Sequence, residues 1–279
     1  MYKYRFKVLF SQSDIEIIVA TMHRRNLHFL NEIFPHHDLK KLQILVVNQT
    51  DFEPLLSDFP NIRVINTDEK GLSNSRNLGI KNARTEIVLL TDDDVVFDKV
   101  FLETVLDGFS LHKNATAIKF RTKGLDGNYF KKYSEKPRTQ LSDLDILSTM
   151  SIELVYNLKH IKSKGLKFNI LFGLGTDFPL GEEQLFLKLL KNKGLEVAYF
   201  PKTIVFHPEH KNSDIISFSQ YWTTIGAIYS EMFRKTKYIW LLILLFFKIK
   251  KGGLSIKKLF PAIAFFNKGA KKYSAIKHT

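Results

Sequence analysis

The chain has 279 residues, 44% hydrophobic and 25% charged, ordinary globular values that exclude bulk disorder and allow one large domain or a domain with an appendage. It contains no cysteine, which excludes disulfides, thiolate metal sites and cysteine nucleophiles and permits a reducing cytosol. The formal net charge of +14 is uneven: residues 231–279 hold twelve Lys or Arg against one acid, Glu231, a net +11, and the first 230 residues hold only +3.

The first ten residues carry charge but no apolar run of signal-peptide length, so no export signal is expected. Residues 14–20 read as a buried strand that runs through Thr21-Met22-His23-Arg24-Arg25 into a helix ended by Pro35. A second strand is expected over 42–47 with the polar exit Asn48-Gln49-Thr50, then a short helix around 52–59 and a third strand over 62–66. Gly71 to Ala83 has a Gly turn, a Ser or Asn cap and helical spacing. Next comes Glu86-Ile87-Val88-Leu89-Leu90-Thr91-Asp92-Asp93-Asp94, four apolar residues followed by three carboxylates. The run reads as a short strand buried on both faces, with the acids at its C-terminal end, where open α/β sheets bind ligands. Three like charges so close repel unless a cation lies among them, which points to a divalent metal with oxygen ligands.

Beyond it, residues 100–109 read as a helix, 115–121 as a strand, 123–145 as a long polar loop, and 151–158 as strand or helix. A glycine-punctuated loop over 172–181 leads into a helix that starts at Glu182-Glu183 and stops at Gly194, followed by a strand over 197–206 that exits through His207-Pro208-Glu209-His210. Alternating strands and helices with short connections imply right-handed βαβ units, a mainly parallel sheet, and polar strand exits gathered on one edge. In the basic tail, the apolar block 238–247 is about half of the ~20 residues needed to span a bilayer, and with the block 259–266 it is bracketed by Lys. That pattern suits contact with an anionic membrane surface through residues 235–272, against the alternative of a helix closing the core. Nucleic acid is not the expected partner, because the aromatics cluster in apolar blocks and do not alternate with Arg on an exposed face.

Four features in this order and spacing resemble a family 2 glycosyltransferase of the GT-A fold over residues from about 14 to 230. They are the first strand into Ala20-Thr21-Met22-His23-Arg24, the Gly71…Ser75-Arg76-Asn77…Gly79…Ala83 helix, Asp92-Asp93-Asp94, and Gly181-Glu182-Glu183 about ninety residues later. The resemblance implies a Rossmann-like central sheet flanked by helices over residues 1–230, with a nucleotide-binding half (14–98) and an acceptor or catalytic half (99–230). A basic, apolar helical extension would occupy 231–279. It implies an inverting, metal-dependent transfer from a nucleotide-sugar donor, expected to be UDP-linked, to a hydroxyl of a glycan or lipid-linked acceptor in cell-surface polysaccharide synthesis. The setting implied is the inner face of the plasma membrane.

Carried onto this chain, the acidic triplet acts as a DxD motif, with Asp94 on Mn²⁺ or Mg²⁺, Asp92 facing ribose or metal, and Asp93 assigned to the nucleotide sugar. His207, at a later strand end, would be a further metal ligand, with His210 left out. Ala20, Thr21, His23, Arg24 and Arg76 would line the nucleotide. Asn48 and Gln49 stand where relatives carry an Asp pair, and an amide can still pair with an imide edge. Glu182 or Glu183 would take the acceptor proton; neighbouring helical residues point about 100° apart, so only one can, and position favours Glu183. The rival readings are a nucleotidyltransferase, which would show a glycine-rich basic loop after the first strand, and a non-catalytic basic protein that binds membrane or nucleic acid.

Overall fold

The computed structural model describes residues 10–208 and 216–277. One eight-stranded sheet forms the centre, built from β1 (Ile15–Met22), β2 (Gln43–Gln49), β3 (Ile62–Thr67), β4 (Ile87–Thr91), β5 (Val96–Phe97), β6 (Ala115–Gly124), β7 (Leu154–Asn157) and β8 (Glu196–His207). Its order is β3-β2-β1-β4-β7-β6-β8-β5. The first half, β3-β2-β1-β4, is parallel throughout, as the βαβ reading expects. The second half is mixed, because β7 runs antiparallel to both β4 and β6 while β6 and β8 are parallel. Apolar residues of β1 alternate between the two faces: Ile15, Ile17 and Val19 join one buried cluster and Ile18 the other. Burial on both faces is why these strands read as continuous apolar runs.

Register collects the chemistry on one edge. Thr21 lies opposite Asn48, and Val19 opposite Thr91, so β1, β2 and β4 end together. Antiparallel pairing of β5 with β8 sets Val96 against Phe206, which carries Asp94 to the neighbourhood of His207.

The helices are α1 (Phe29–Ile33), α2 (Leu72–Asn82), α3 (Phe101–Leu111), α4 (Asp143–Leu147), α5 (Leu158–Ser163), α6 (Glu182–Asn192), α7 (Phe218–Phe233), α8 (Lys237–Lys250) and α9 (Leu259–Lys277). The segment 151–158 resolves into a 3-10 turn, β7 and the start of α5. No helix forms around 52–59: Asn66 accepts from Leu55 N and donates to Leu55 O, both at 2.9 Å, so the backbone groups a helix would use are taken by a side chain. His210 lies outside the described residues.

The C-terminal helices share a hydrophobic cluster with α2, α6 and one face of the sheet, burying Leu241, Leu245, Ala262, Phe266 and Tyr273. Helices α7 and α9 cross at glycines: a Cβ on Gly269 would stand 1.8 Å from Thr223 O, and one on Gly226 2.0 Å from Phe266 O. Helix α9 then reaches the loop before α6, where Tyr273 meets the Phe172 and Phe178 rings and Lys272 pairs with Asp177 at 2.8 Å. The tail is thus built onto the body of the protein. Among the described residues no helix is long and apolar enough to cross a membrane.

Candidate active site

Two acidic groups far apart in sequence meet through one cation. Arg76, on the buried face of α2, is 2% exposed; its Nη1 donates to Glu182 Oε1 at 2.5 Å and its Nη2 to Asp92 Oδ1 at 3.3 Å. Burial opposes a charged guanidinium, and Glu182 and Asp92 outweigh it, so the Arg76 pKa is raised. Asp92 also accepts from Ser151 Oγ at 3.4 Å. Burial lifts the Asp92 pKa and Asp94 and Glu182 add to the rise, against the pull of Arg76. The structure therefore places Arg76 as a strut between the β4 acids and the head of α6.

Helix α6 begins at Gly181, whose φ of +94° and neighbour Ile228 Cδ1, 2.3 Å from any added Cβ, require glycine. From that turn the two glutamates take different partners. Glu182 goes to Arg76. Glu183 Oε1 accepts from Gln184 Nε2 at 3.0 Å, and that amide also donates to Thr149 O at 2.8 Å. The other oxygen, Glu183 Oε2, is sealed from solvent without a hydrogen-bond partner among the described residues. Burial pushes the Glu183 carboxyl well above its ordinary range, and the charge on Glu182 pushes it further. Such a carboxyl, once ionised, is a strong proton acceptor.

Arg76, Asp92, Glu182 and Glu183 form the polar end of a cleft of about 540 Å³. Its other walls come from the 147–151 segment, from Leu174 to Leu180, and from α7 and α8, including Ile225, Ile228, Trp240 and Leu244. Sequence reasoning missed the Ser151, Gln184 and α7–α8 contributions, since none carries a local pattern tied to the acids.

The remaining residues form the other part of the strand edge. Asp93 Oδ2 accepts from Thr21 Oγ1 at 2.5 Å and from Arg24 Nε and Nη2 at 2.9 and 2.6 Å, so it ties the β1 exit to β4. Ala20 is the last buried apolar residue of β1. Asn48 is 0% exposed; its Oδ1 accepts from Arg24 N, and its Nδ2 donates to Arg24 O and Asn66 Oδ1. Each polar atom of the Asn48 amide is thus hydrogen-bonded within the protein. Gln49 Nε2 likewise donates to the carbonyls of Glu69 and Gly71. At the surface nearby, His23, at a φ of +54°, stands edge-on to the exposed Phe52 ring at 5.2 Å, and the Arg25 guanidinium lies 5.9 Å from the same ring. Phe52 was legible only as a lone aromatic between two acids.

His207 Nε2 lies 3.5 Å from Asp94 Oδ1, and its Nδ1 donates to Pro208 O at 2.5 Å. Burial disfavours the charged ring, and the hydrogen bond and charge of Asp94 outweigh burial, so the His207 pKa is raised. With Nδ1 donating to Pro208 O, Nε2 is the ring nitrogen that faces the Asp94 carboxylate. Among the described residues no group of three or more His, Asp or Glu side chains is close enough to hold an ion, so the expected trio of Asp92, Asp94 and His207 is not gathered. Asp94 and His207 are. A carboxylate and an imidazole side by side are donors that suit a divalent cation.

Residues 24–176, more than half of the chain, match the profile of glycosyl transferase family 2. No curated protein sequence matches. Among solved structures, the chain is similar to residues 1–349 of TarS from S. aureus, at 17% identity and a TM-score of 0.54, covering 77% of this chain and 65% of that one. The same TarS region in complex with UDP-GlcNAc gives 18% identity and 0.56, covering 78% and 66%. In complex with UDP it gives 16% and 0.59, covering 91% and 80%. This chain therefore spans just under two thirds of the first two of these structures, and at such identity the likeness concerns the fold, a GT-A-type mixed α/β sheet flanked by helices. On the sequence match, the chain belongs to glycosyl transferase family 2.

Proposed function

We propose that this protein is an inverting glycosyltransferase that moves a sugar from a UDP-linked donor to a hydroxyl of a glycan or lipid-linked acceptor. The observation that carries the reading is Glu183 Oε2, a sealed carboxylate oxygen without a partner among the described residues, at the head of a cleft shared with Asp92 and Arg76. In the proposed reaction the acceptor O–H proton passes to Glu183 as the acceptor oxygen forms a bond to the anomeric carbon. The bond from that carbon to the diphosphate breaks, and the UDP leaves with the electron pair. Attack from the side opposite the departing oxygen inverts the centre. Glu182 is excluded as base in this reading, since Arg76 occupies it at 2.5 Å.

Mn²⁺ or Mg²⁺, held by Asp94 and His207, would supply positive charge to the departing diphosphate. Asp92 and Arg76 would position the donor sugar at the cleft, with Asp93 bracing Thr21 and Arg24 beneath it. The His23 and Phe52 rings offer a stacking surface for the base, consistent with the engagement of Asn48 and Gln49 elsewhere. TarS has been solved with UDP-GlcNAc and with UDP, which supports a UDP-linked donor here. The Lys-bracketed helix α8 would rest on an anionic membrane surface, placing the reaction at the inner face of the plasma membrane during surface polysaccharide synthesis.

A thermal-shift panel of nucleotide sugars with and without Mn²⁺ tests the reading. UDP compounds stabilise the protein only with metal, Asp94→Ala removes the shift, and Glu183→Gln keeps the shift while transfer is lost. Stabilisation by UDP compounds in Asp94→Ala, or turnover by Glu183→Gln within about tenfold of the unaltered protein, would overturn it.

A further inference from the structure

The cleft that starts at Glu183 ends in hydrocarbon. Beyond the carboxylates its walls carry Ile225 and Ile228 from α7, Trp240, Ile243 and Leu244 from α8, and Leu147 from the facing segment. At about 540 Å³ the space suits a ligand of moderate size, and the α7–α8 part of its wall is mainly aliphatic and aromatic, with the Tyr221 and Tyr229 hydroxyls as its polar groups. A glycan laid along that wall would lose water from most of its hydroxyls and gain few partners, which is unfavourable; an alkyl chain loses nothing there.

Besides Leu241 and Leu245, which it buries in the core, helix α8 carries two further apolar stripes. Trp240, Ile243, Leu244 and Phe247, at spacing i, i+3, i+4, i+7, line the cleft. Ile239, Leu242 and Phe246, at i, i+3, i+7, face outward and are 59%, 66% and 61% exposed. Phe247 lines the cleft and is still 46% exposed, so it stands at the mouth, where the inner stripe meets the outer one. Lys235, Lys237, Lys248, Lys250 and Lys251 bracket the helix, a charge pattern complementary to anionic headgroups. A helix seated in a lipid surface by its outer stripe would open the cleft directly onto acyl chains.

We infer that the acceptor is an amphiphile whose hydroxyl-bearing head lies at Glu183 and whose hydrocarbon chain lies along the α7–α8 wall, entering from the membrane past Phe247. This rests on the transferase reading above and specifies its acceptor class.

The test uses alkyl glucosides from hexyl to decyl below their micelle concentrations, with a terminal bromine to quench Trp240, and the Mn²⁺-dependent UDP shift measured in parallel. The protein has two tryptophans, and Trp222 is core-buried. Affinity is expected to rise roughly threefold to fourfold with each added methylene. Trp240→Phe abolishes most of the quenching, and Leu244→Gln weakens binding of the decyl compound at least tenfold while the UDP shift reports that the variant is folded. Leu242→Ser/Phe246→Ser, on the outer stripe, keeps the chain-length trend. Affinity independent of chain length, binding untouched by Leu244→Gln in a variant that still shows the UDP shift, or a trend abolished by the outer-stripe variant would overturn the inference. Loss of the UDP shift in the unaltered protein would count against the transferase reading and leave the alkyl series standing by itself.

Discussion

Replacing Arg76 with Met keeps an unbranched apolar stem and removes the charged guanidinium at its end, which tests what that group does. Arg76 is 2% exposed and Glu182, its partner at 2.5 Å, has a side chain 7% exposed. Removing one member of a buried pair costs about 3–5 kcal/mol, because the other charge is left without a counter-ion in a medium that solvates it poorly. Asp92 adds little to this figure: its contact is longer, at 3.3 Å, and a third of its side chain is exposed, so water screens it. For a chain of this size such a loss lowers the melting temperature by on the order of 10 °C. Urea denaturation followed by circular dichroism measures it directly. Combining Arg76→Met with Glu182→Gln should recover much of the deficit, since no bare carboxylate then remains. Arg76→Lys should fall between, because an ammonium cannot fork between two carboxylates. A loss below about 1 kcal/mol for Arg76→Met, or a double variant less stable than the single one, would refute the strut.

The raised Glu183 pKa places an acid limb on the transfer rate: kcat/KM should fall as pH drops through a midpoint above the ordinary carboxylate range, since only the ionised form accepts a proton. Glu183→Gln should abolish that limb and lower the rate by roughly 10²–10⁴; a limb that persists in Glu183→Gln assigns the base elsewhere. Gly269→Ala sets a methyl against Thr223 O at 1.8 Å and must part α7 from α9, for an expected loss of about 1–3 kcal/mol or more in urea. An unchanged urea midpoint would mean that the crossing is looser than described. Sedimentation with anionic vesicles should show binding that weakens at high salt and falls at least tenfold in Leu242→Ser/Phe246→Ser, with oligonucleotides unable to compete. Equal binding by that variant would place the membrane contact elsewhere.

Much of the architecture was legible because strands buried on both faces leave continuous apolar runs, and β1, β2 and β4 each announce themselves that way. The acid triplet and the glutamate pair were legible too, as charges at places where a chain does not put them without cause. Residues 52–59 were not, since their backbone is claimed by the side chain of Asn66, a contact across eleven positions that no local pattern records. Nor was the mixed character of the second half of the sheet, because the direction of β7 depends on where β4 and β6 leave room for it.

Sequence by itself determined six of the eight strands, which acids stand at their ends, and that the basic charge belongs to the tail. Only tertiary structure decided how those acids divide their roles. Arg76 reaches across 106 positions to neutralise Glu182 and so leaves Glu183 as the glutamate with an unengaged oxygen. Asp93 is drawn into a brace with Arg24, and Asp94 is brought to His207 by the pairing of β5 with β8. The tail, read alone as an apolar and basic extension, became one wall of the cleft when α7 and α9 met at two glycines. The physical reason is common to all of these. Periodicity and composition report which surfaces a segment must bury, whereas the protonation and availability of a carboxylate depend on which distant charge burial brings within about 3 Å of it.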